Sequence, residues 1–241
     1  MVDIHCHLLP GIDDGAKSLY EAVELCRMAE INHITDIILT PHFQEFTDPG
    51  VFFALRDEKY EELKEAIEAE GILCRLYSGA EVAATEEMFG FSEWSRLTLA
   101  GSRYLLLELP FMHFSPDEME QYVECIKEQG LIPIIAHAER YSSFHRSPSM
   151  MNELLGMDAL LQVNLASLTG AFGGNAMHMA YDLIRSEVVS FLSTDAHSLS
   201  RRNNNVLAAL PTLEQEIPRY YLEQMLIDHP QMILENQVLK L

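Results

Sequence analysis

The chain has 241 residues, of which 48% are hydrophobic and 22% charged, as in an ordinary globular protein. Acidic residues outnumber basic ones by 37 to 16, which leaves a formal net charge of −21. Nucleic acids and anionic membranes need a basic contact surface, so this balance argues against both as partners.

Short apolar segments alternate with longer amphipathic ones along the whole chain. The apolar segments are rich in Val, Ile and Leu, as in the strands of a parallel sheet that is covered on both faces. The predicted strands are 2–7, 36–42, 72–82, 104–110, 131–137, 159–165 and 188–197. The predicted helices are 19–31, 51–70, 116–130, 149–156, 175–186, 203–216 and 218–228. This alternation without a linker or repeat predicts an α/β fold of roughly seven βα units, in one domain over residues 1–241.

Imidazole and carboxylate side chains concentrate at the carboxyl ends of these strands. The candidate ligands are His5, His7, Asp14, His42, Glu81, Glu108, His137, Asp195 and His197. The sixth strand lacks such a residue and offers Gln162 and Asn164. A charged group such as Glu108 costs several kcal/mol to bury unpaired, and a bound cation removes that cost. Because a barrel gathers many strand ends on one face, the pattern favours a closed barrel over an open doubly wound sheet.

The spacing of these residues also predicts how they meet a metal ion. Residues i and i+2 of a strand point to the same side, so His5 and His7 can chelate one ion while Cys6 faces away. Asp195 and His197 repeat this spacing. Imidazole and carboxylate ligands without thiolate suit Mn, Fe or Zn better than Mg or Ca. Nine candidates are too many for one ion, which predicts a site of two or three.

Two arginines, Arg140 and Arg202, follow these ligands closely in the sequence. Their guanidinium groups suit the oxygen atoms of a phosphate, although spacing alone does not choose between Arg202 and Arg201. The remaining histidines fall in helices, junctions or loops and are expected to be structural: His33, His113, His145, His178 and His229. The Gly-rich segment LTGAFGGN at 168–175 matches no nucleotide-binding loop.

The cysteines exclude one common phosphatase chemistry. A cysteine-dependent phosphatase needs an arginine six residues after its nucleophile, but the residues at that distance are Ile12, Asn32, Ala80 and Leu131. A GxSxG nucleophile elbow is also missing. We find no signal-peptide pattern and no apolar run of about 18 residues, and the four cysteines are not closely paired. We therefore expect a cytoplasmic protein with free thiols.

The order of the motifs resembles one known superfamily. The segments are DIHCHLLPGIDDGA, ILTPHF, GAEV, LLLELP, PIIAHAERY, LLQVN with SLTG, and STDAHS followed by Arg202. They are similar to the polymerase-and-histidinol-phosphatase (PHP) superfamily, and within it to the metal-dependent tyrosine-protein phosphatases of bacterial capsule and exopolysaccharide systems. HxH alone is a weak signal, whereas HxH followed by PGIDDGA, AHAER and DAH is specific. Ala138 and the segment LQVNLASLTG depart from that pattern without touching a proposed ligand.

The resemblance implies a distorted TIM-like (β/α)₇ barrel with three divalent metal ions, usually manganese, at the carboxyl ends of the strands. It places one ion on His5, His7, Glu81 and Asp195. It makes Glu81 a bridge to a second ion on Glu108 and His137, and places the third ion on Asp14, His42 and His197. Arg140 and Arg202 match phosphate-contacting arginines of the family, and His42 or a metal-bound water is the candidate general acid.

The resemblance implies a phosphomonoesterase that hydrolyses phosphotyrosine in protein, and the ligand set suits attack by a metal-activated hydroxide. The resemblance implies that its partner is an autophosphorylated tyrosine kinase of polysaccharide biosynthesis. One alternative is a small-molecule phosphatase, for example one that acts on histidinol phosphate. Another is a metal-dependent amidohydrolase, which usually has a lysine at a strand end, and none of the predicted strands contains one. A third is a catalytically inactive module that binds the kinase.

Overall fold

Parallel strands form the centre of the protein. The computed structural model describes residues 1–44, 47–200, 202–205 and 209–239. Within them the strands are β1 Val2–Asp3, β2 Asp36–Leu39, β3 His42–Phe43, β4 Arg75–Ser78, β5 Glu81–Ala83, β6 Tyr104–Glu108, β7 Ile132–Ile135, β8 Leu160–Asn164 and β9 Phe191–Ser193. They form two sheets in the orders β1-β2-β4 and β3-β5-β6-β7-β8-β9, and every pair is parallel.

Helices connect these strands. They are α1 Leu19–Ile31, α2 Pro49–Ala69, α3 Pro116–Glu128, α4 Ser142–Arg146, α5 Ser149–Gly156, α6 Leu165–Leu168, α7 Gly174–Arg185, α8 Leu210–Glu216, α9 Arg219–Glu223 and α10 His229–Leu234, with a π-helical turn over Gln224–Asp228. Ser18, Asp48 and Ser115 each accept a hydrogen bond from a first-turn N–H of α1, α2 and α3. Such caps explain why these three helices begin close to the predicted residues.

Two predicted strands are each divided into two. The prediction over 36–42 becomes β2 and β3, which are separated by Thr40 and Pro41. The prediction over 72–82 becomes β4 and β5, separated by Gly79 and Ala80. Proline has no N–H to donate to a ladder, which accounts for the first break. The division places β2 and β4 in one sheet and β3 and β5 in the other.

The first and the last strand segments are joined by hydrogen bonds beyond the regular strands. The N–H of Asp195 donates to the carbonyl of His5, and the N–H of His7 donates to the carbonyl of Ala196, both at 2.8 Å. Cys6 and Ala196 form an isolated parallel bridge. The predicted strand over 2–7 is thus regular only at Val2–Asp3, but its backbone still pairs with the end of the chain's last strand. The parallel sheet is curled.

The strands have two apolar faces, and the predicted ligands continue one of them. Tyr104 and Leu106 belong to a small buried cluster between the strands, whereas Leu105 and Leu107 belong to the large cluster that includes the helices. Glu108 follows Leu106 by two residues, so it continues the small cluster toward the carboxyl end of β6. Within β8, Leu160 of the same small cluster likewise precedes Gln162 by two residues. The site therefore lies at one end of the inner face of the curled sheet.

Two helix predictions in the C-terminal part need correction. The helix predicted over 203–216 begins only at Leu210, and residues 206–208 of that prediction lie outside the described residues. Asn203, Asn204 and Asn205 make local and long-range bonds with side-chain amides instead, as asparagine often does outside helices. The helix predicted over 218–228 continues through a π-helical turn into α10.

Two further findings concern chemistry away from the strands. All four cysteines are free thiols, and Cys6, Cys26 and Cys74 are buried. Among the helices of the described ranges, none combines the length and the apolar character that a bilayer crossing requires.

Candidate metal centre

The structure brings all nine predicted ligands together. Their nitrogen and oxygen atoms form four overlapping groups in which the ligand atoms lie within 4.8 Å of one another. The groups are His7, Asp14, His42 and His197; His5, His7 and Glu81; His5, His137 and Asp195; and His42, Glu81 and Glu108. Because the strands are parallel, their carboxyl ends meet at one edge, as the sequence predicted.

Glu81 lies at the centre of these groups. One carboxylate oxygen, Oε2, is 3.1–3.2 Å from nitrogen atoms of His5, His7 and His42, and the other is 2.9 Å from Nε2 of His137. The side chain is 1% exposed, and burial alone would raise its pKa, but the surrounding histidines hold the pKa well below its usual value. A buried, ionised carboxylate needs positive charge beside it, which protonated imidazoles or a metal ion supply.

Asp13 orients His7, and the sequence analysis did not identify it. Its Oδ2 accepts a 2.8 Å hydrogen bond from Nδ1 of His7 and a 3.1 Å bond from the N–H of His42. Burial would lower the pKa of His7, but hydrogen bonds to Asp13 and Glu81 raise it to about 10. With Nδ1 donating to Asp13, only Nε2 of His7 can face Glu81. A carboxylate behind a ligating histidine is a common arrangement in metal sites, where it fixes the ring and its tautomer.

His197 and Asp14 show that the site fits a cation. Nδ1 of His197 donates to the carbonyl of Asp195 at 2.9 Å, so Nε2 presents a lone pair. Burial and the nearby charges of His7 and Arg202 lower the pKa of His197 to about 3, which keeps the ring neutral. Its buried Nε2 has no hydrogen-bond donor among the described residues and lies 3.3 Å from Oδ1 of Asp14. Two electron-pair donors that face each other at this distance suit a cation bound by both.

The backbone at two candidate ligands was not foreseen. His137 and Asp195 have φ angles of 32° and 51°, in the left-handed region that non-glycine residues rarely adopt. The prediction that Asp195 and His197 share a side through regular strand geometry is therefore wrong, since the chain has already left β9. Their proximity is real, with Nδ1 of His197 3.4 Å from Oδ1 of Asp195, but it comes from a turn. Such strained conformations concentrate at functional sites.

Both predicted arginines contact the same carboxylate. Nη2 of Arg202 lies 2.7 Å from Oδ1 of Asp195, and Nη1 of Arg140 lies 3.3 Å from Oδ2. The alternative, Arg201, lies outside the described residues. The two guanidinium groups thus meet at the edge of the ligand cluster, where an anion can contact both.

Two aromatic side chains beside Arg140 were also missed. Phe111 lies against the ring of His137, with centroids 5.1 Å apart, and its own ring centre is 4.8 Å from the Arg140 guanidinium carbon. Phe172 lies 4.2 Å from Arg140 and 5.7 Å from Arg202 by the same measure. Phe172 belongs to the Gly-rich segment at 168–175, which therefore borders the site although it matches no nucleotide loop. Cation–π contacts of this kind hold arginines in place.

The residues that were expected to be structural stay outside the four groups. His145 and His229 have protein partners, the carbonyls of Glu139 and Ser190 at 3.0 and 2.9 Å. His33, His113 and His178 belong to none of the groups among the described residues. The Sγ of Cys6 points to the carbonyl of Ile38 at 3.5 Å and packs in the large core cluster, as expected of a residue between two ligands.

Gly15 explains the glycine of the PGIDDGA motif. A Cβ atom at this position would lie 2.0 Å from the carbonyl oxygen and 2.6 Å from Cβ of His7. The next N–H, that of Ala16, donates to this same carbonyl at 3.0 Å. The loop that holds Asp13 and Asp14 can therefore approach the His7 backbone only because residue 15 has no side chain.

We expect Gly15→Ala to lower the free energy of unfolding by about 2–3 kcal/mol, because the loop must move away from His7. Urea unfolding measures the change. Gly174→Ala is the matched control, since nothing lies within 4 Å of the added carbon at the first residue of α7. We expect it to change stability by less than about 0.5 kcal/mol. Equal stability of the two variants would contradict the close approach.

A curled parallel sheet with imidazole and carboxylate groups at its carboxyl ends defines an α/β protein with a candidate metal site. The family model described as "Capsular polysaccharide synthesis, CpsB/CapC" matches residues 1–235. The chain belongs to this family. The match confirms the resemblance to the capsule and exopolysaccharide family that the sequence motifs indicated.

Relatives in the family cover nearly the whole chain. It is 32% identical over 240 residues to the tyrosine-protein phosphatase YwqE of Bacillus subtilis, which spans 99% of this chain and 93% of YwqE. It is 35% identical over 203 residues to the putative tyrosine-protein phosphatase CapC of Staphylococcus aureus, over 84% of this chain and 79% of CapC. A crystal structure from a study of YwqE and of CpsB from Streptococcus pneumoniae, described as unique metal-dependent tyrosine phosphatases, superposes with a TM-score of 0.88 at 29% identity. It covers 100% of this chain and 96% of that one.

Proposed function

We propose that this protein is a metal-dependent protein-tyrosine phosphatase. The observation that carries the proposal is the meeting of nine His, Asp and Glu side chains in four overlapping groups, with two arginines at their edge. The relatives named as tyrosine-protein phosphatases support the substrate class. The family description supports a role in capsular polysaccharide synthesis, where the phosphorylated substrate would be a tyrosine kinase of the same system.

We propose three divalent ions, with manganese as the metal. The sets are His5, His7, Glu81 and Asp195; Glu81, Glu108 and His137; and Asp14, His42 and His197. The first set contains the observed group of His5, His7 and Glu81. The third set is part of the observed group that also contains His7. For the second, Nε2 of His137 lies 2.9 Å from Glu81 and 3.4 Å from Glu108. A carboxylate with histidines on both oxygens, as Glu81 has, is suited to bridging two ions.

The protein's own residues then perform separate tasks. Divalent ions supply Lewis-acid polarisation of a phosphoryl group and activation of water at neutral pH. Arg140 and Arg202 bind the phosphate oxygens and stabilise the charge that grows on them in the transition state. Phe111 and Phe172 hold Arg140 in place at the edge of the ligand cluster. A tyrosine leaves as a phenolate with a pKa near 10, so it requires little protonation, for which His42 or a metal-bound water is the candidate donor.

We also propose a closed-barrel architecture and a single domain for this protein. The seven predicted strand segments support a distorted (β/α)₇ barrel of the PHP type. So do the backbone hydrogen bonds that join the first of these segments to the last. One domain over residues 1–241 fits the large core cluster, whose members run from Cys6 to Leu226. The four free thiols fit a reducing compartment such as the cytoplasm.

A side-by-side assay tests the substrate class. With manganese added, we expect kcat/KM for a phosphotyrosyl peptide to exceed that for histidinol phosphate by at least about tenfold, or about 1.4 kcal/mol in transition-state binding. Initial rates at several concentrations of each substrate give both values. Equal or better turnover of histidinol phosphate would make the protein a small-molecule phosphatase. Capture of the kinase without hydrolysis of any aryl phosphate would make it a binding module.

A further inference from the structure

Gln162 and Asn164 are the two polar residues at the end of β8, the strand that supplies no candidate ligand. Both are 0% exposed. They belong to the same face of β8, since residues two apart point to one side of a strand. Their side chains lie between two of the proposed ligands, Asp195 and His5. The hydrogen bonds that join them leave only one arrangement of donors and acceptors.

The arrangement begins at Asp195. An ionised carboxylate only accepts hydrogen bonds, so the Asn164 atom 2.6 Å from Oδ2 of Asp195 must be the amide nitrogen. The amide oxygen of Asn164 is then an acceptor, and it lies 2.8 Å from Nε2 of Gln162, which donates to it. The oxygen of Gln162 consequently points away from Asn164, toward His5 and His137.

The hydrogen bonds of Gln162 to His137 and His5 fix its amide in the same orientation. The backbone N–H of His137 can only donate, and it lies 2.7 Å from Oε1 of Gln162. Rotating the Gln162 amide by 180° would set an NH₂ group against this N–H. Oε1 also lies 3.0 Å from Nδ1 of His5, and an amide oxygen cannot donate. Nδ1 of His5 must therefore carry a proton, which leaves Nε2 with a lone pair when the ring is neutral.

That lone pair faces the proposed ions. Nε2 of His5 lies 3.2 Å from both Oε2 of Glu81 and Nε2 of His7. The backbone N–H of Asn164 donates to Oε1 of Glu139 at 3.2 Å, which anchors the end of β8. The side-chain amides of Gln162 and Asn164 thus connect Asp195 to His5 through hydrogen bonds, and neither amide can be rotated by 180° without losing them.

We propose that Gln162 and Asn164 are positioning residues that hold His5 in its Nδ1–H tautomer and fix the Asp195 carboxylate. The proposal rests on the metal site of the proposed function, but it concerns the ligands before a metal binds. Asp13 does the same for His7 through a carboxylate, whereas His5 relies on a neutral amide. The amide adds no negative charge to a cluster that already contains Glu81, Glu108 and Asp195. Interactions behind a ligand typically change metal affinity by about 10- to 100-fold.

The first test needs no substitution. Nitrogen-15 NMR of the metal-free full-length protein, at a pH high enough that the His5 ring is neutral, distinguishes the two tautomers of that ring. Loss of one set of signals in His5→Gln assigns His5. We expect its proton on Nδ1. A proton on Nε2 would overturn the proposal whatever the phosphatase assay shows, because the readout involves neither metal nor substrate.

The second test uses two substitutions at Gln162. Gln162→Met keeps the length of the side chain but removes its acceptor, so we expect the proton of His5 to leave Nδ1 in part and manganese affinity to fall about 10- to 100-fold. Gln162→Glu keeps an acceptor oxygen in either protonation state, so we expect the Nδ1–H tautomer to persist and manganese affinity to stay closer to the wild-type value. Equilibrium dialysis with manganese, followed by metal analysis, gives the affinities.

Tyr104→Phe is the matched control. Tyr104 is 0% exposed and donates a 2.7 Å hydrogen bond to the carbonyl of Gln237, at the opposite end of the strand that supplies Glu108. The hydroxyl also accepts a 2.8 Å hydrogen bond from the N–H of Leu239, so the substitution removes two partly buried hydrogen bonds without touching the site, and we expect unchanged manganese affinity. If Gln162→Met matches this control in both tautomer and affinity, the amide pair only supports the fold and the proposal is wrong. If Gln162→Met does not fold, the wild-type tautomer and Gln162→Glu decide the question.

Discussion

Glu81→Gln is expected to lower kcat/KM for an aryl phosphate by at least about 10³-fold, which corresponds to about 4 kcal/mol. The carboxylate contacts four imidazole rings at 2.9–3.2 Å, so it is the anion that the whole cluster shares. An amide has nearly the same shape but lacks the charge, and its NH₂ group would donate to imidazole nitrogens that are proposed to bind ions. Initial rates with added manganese measure the loss, and elemental analysis should show fewer ions per chain.

Glu139→Gln is the matched control for this experiment. Glu139 is a second buried carboxylate, 0% exposed, whose Oε1 accepts from the N–H of Asn164 and the hydroxyl of Ser167. Burial raises its pKa. An amide oxygen can accept both bonds, so we expect nearly full activity. If Glu81→Gln retained wild-type activity and metal content, Glu81 would not be a shared ligand, and the proposed metal arrangement would fail.

Arg140→Ala and Arg202→Ala are each expected to lower kcat by about 10²-fold, with a smaller effect on KM. Donors aimed at charge that develops in a transition state are typically worth about 2.7–4 kcal/mol when they are removed. Arg202 contacts one carboxylate oxygen of Asp195 and Arg140 contacts the other. The ring of Phe172 lies beside both guanidinium groups. Steady-state kinetics with an aryl phosphate separate kcat from KM.

Arg185→Ala serves as the control for both arginine variants. Its guanidinium group is largely exposed and pairs with Glu216 at 2.9 Å and with Asp182, neither of which is a proposed ligand. We expect wild-type kinetics. A loss of activity in Arg201→Ala, together with none in Arg202→Ala, would show that the resemblance selected the wrong arginine.

Much of the site was accessible from the sequence because the strands are parallel. In a parallel sheet every carboxyl end faces the same edge, so residues such as His42, Glu108 and His137 meet although they are far apart in sequence. The period of two along each strand then decides which side chains face inward, as Leu106 and Glu108 do. Neither argument requires knowledge of the loops.

The residues that the sequence analysis missed act through loops and turns. Asp13 reaches His7 because Gly15 lets the loop approach the backbone, and Phe172 reaches two arginines from a Gly-rich segment. Asp195 and His197 meet through a left-handed residue, which no periodicity predicts. The breaks that divide two predicted strands are similar, since Pro41 was visible in the sequence but the change of sheet partner was not.

By itself the sequence predicted the α/β alternation, the edge where the candidate ligands gather and the nine side chains that meet there. These follow from local preferences and from the constant geometry of a strand. Only the tertiary structure decided which atoms face one another, which tautomer each neighbour imposes, and how the two arginines share Asp195. Hydrogen-bond direction depends on distances of about 3 Å between different segments of the chain, such as those that hold His5 and Gln162, and such distances exist only after the whole sheet has curled.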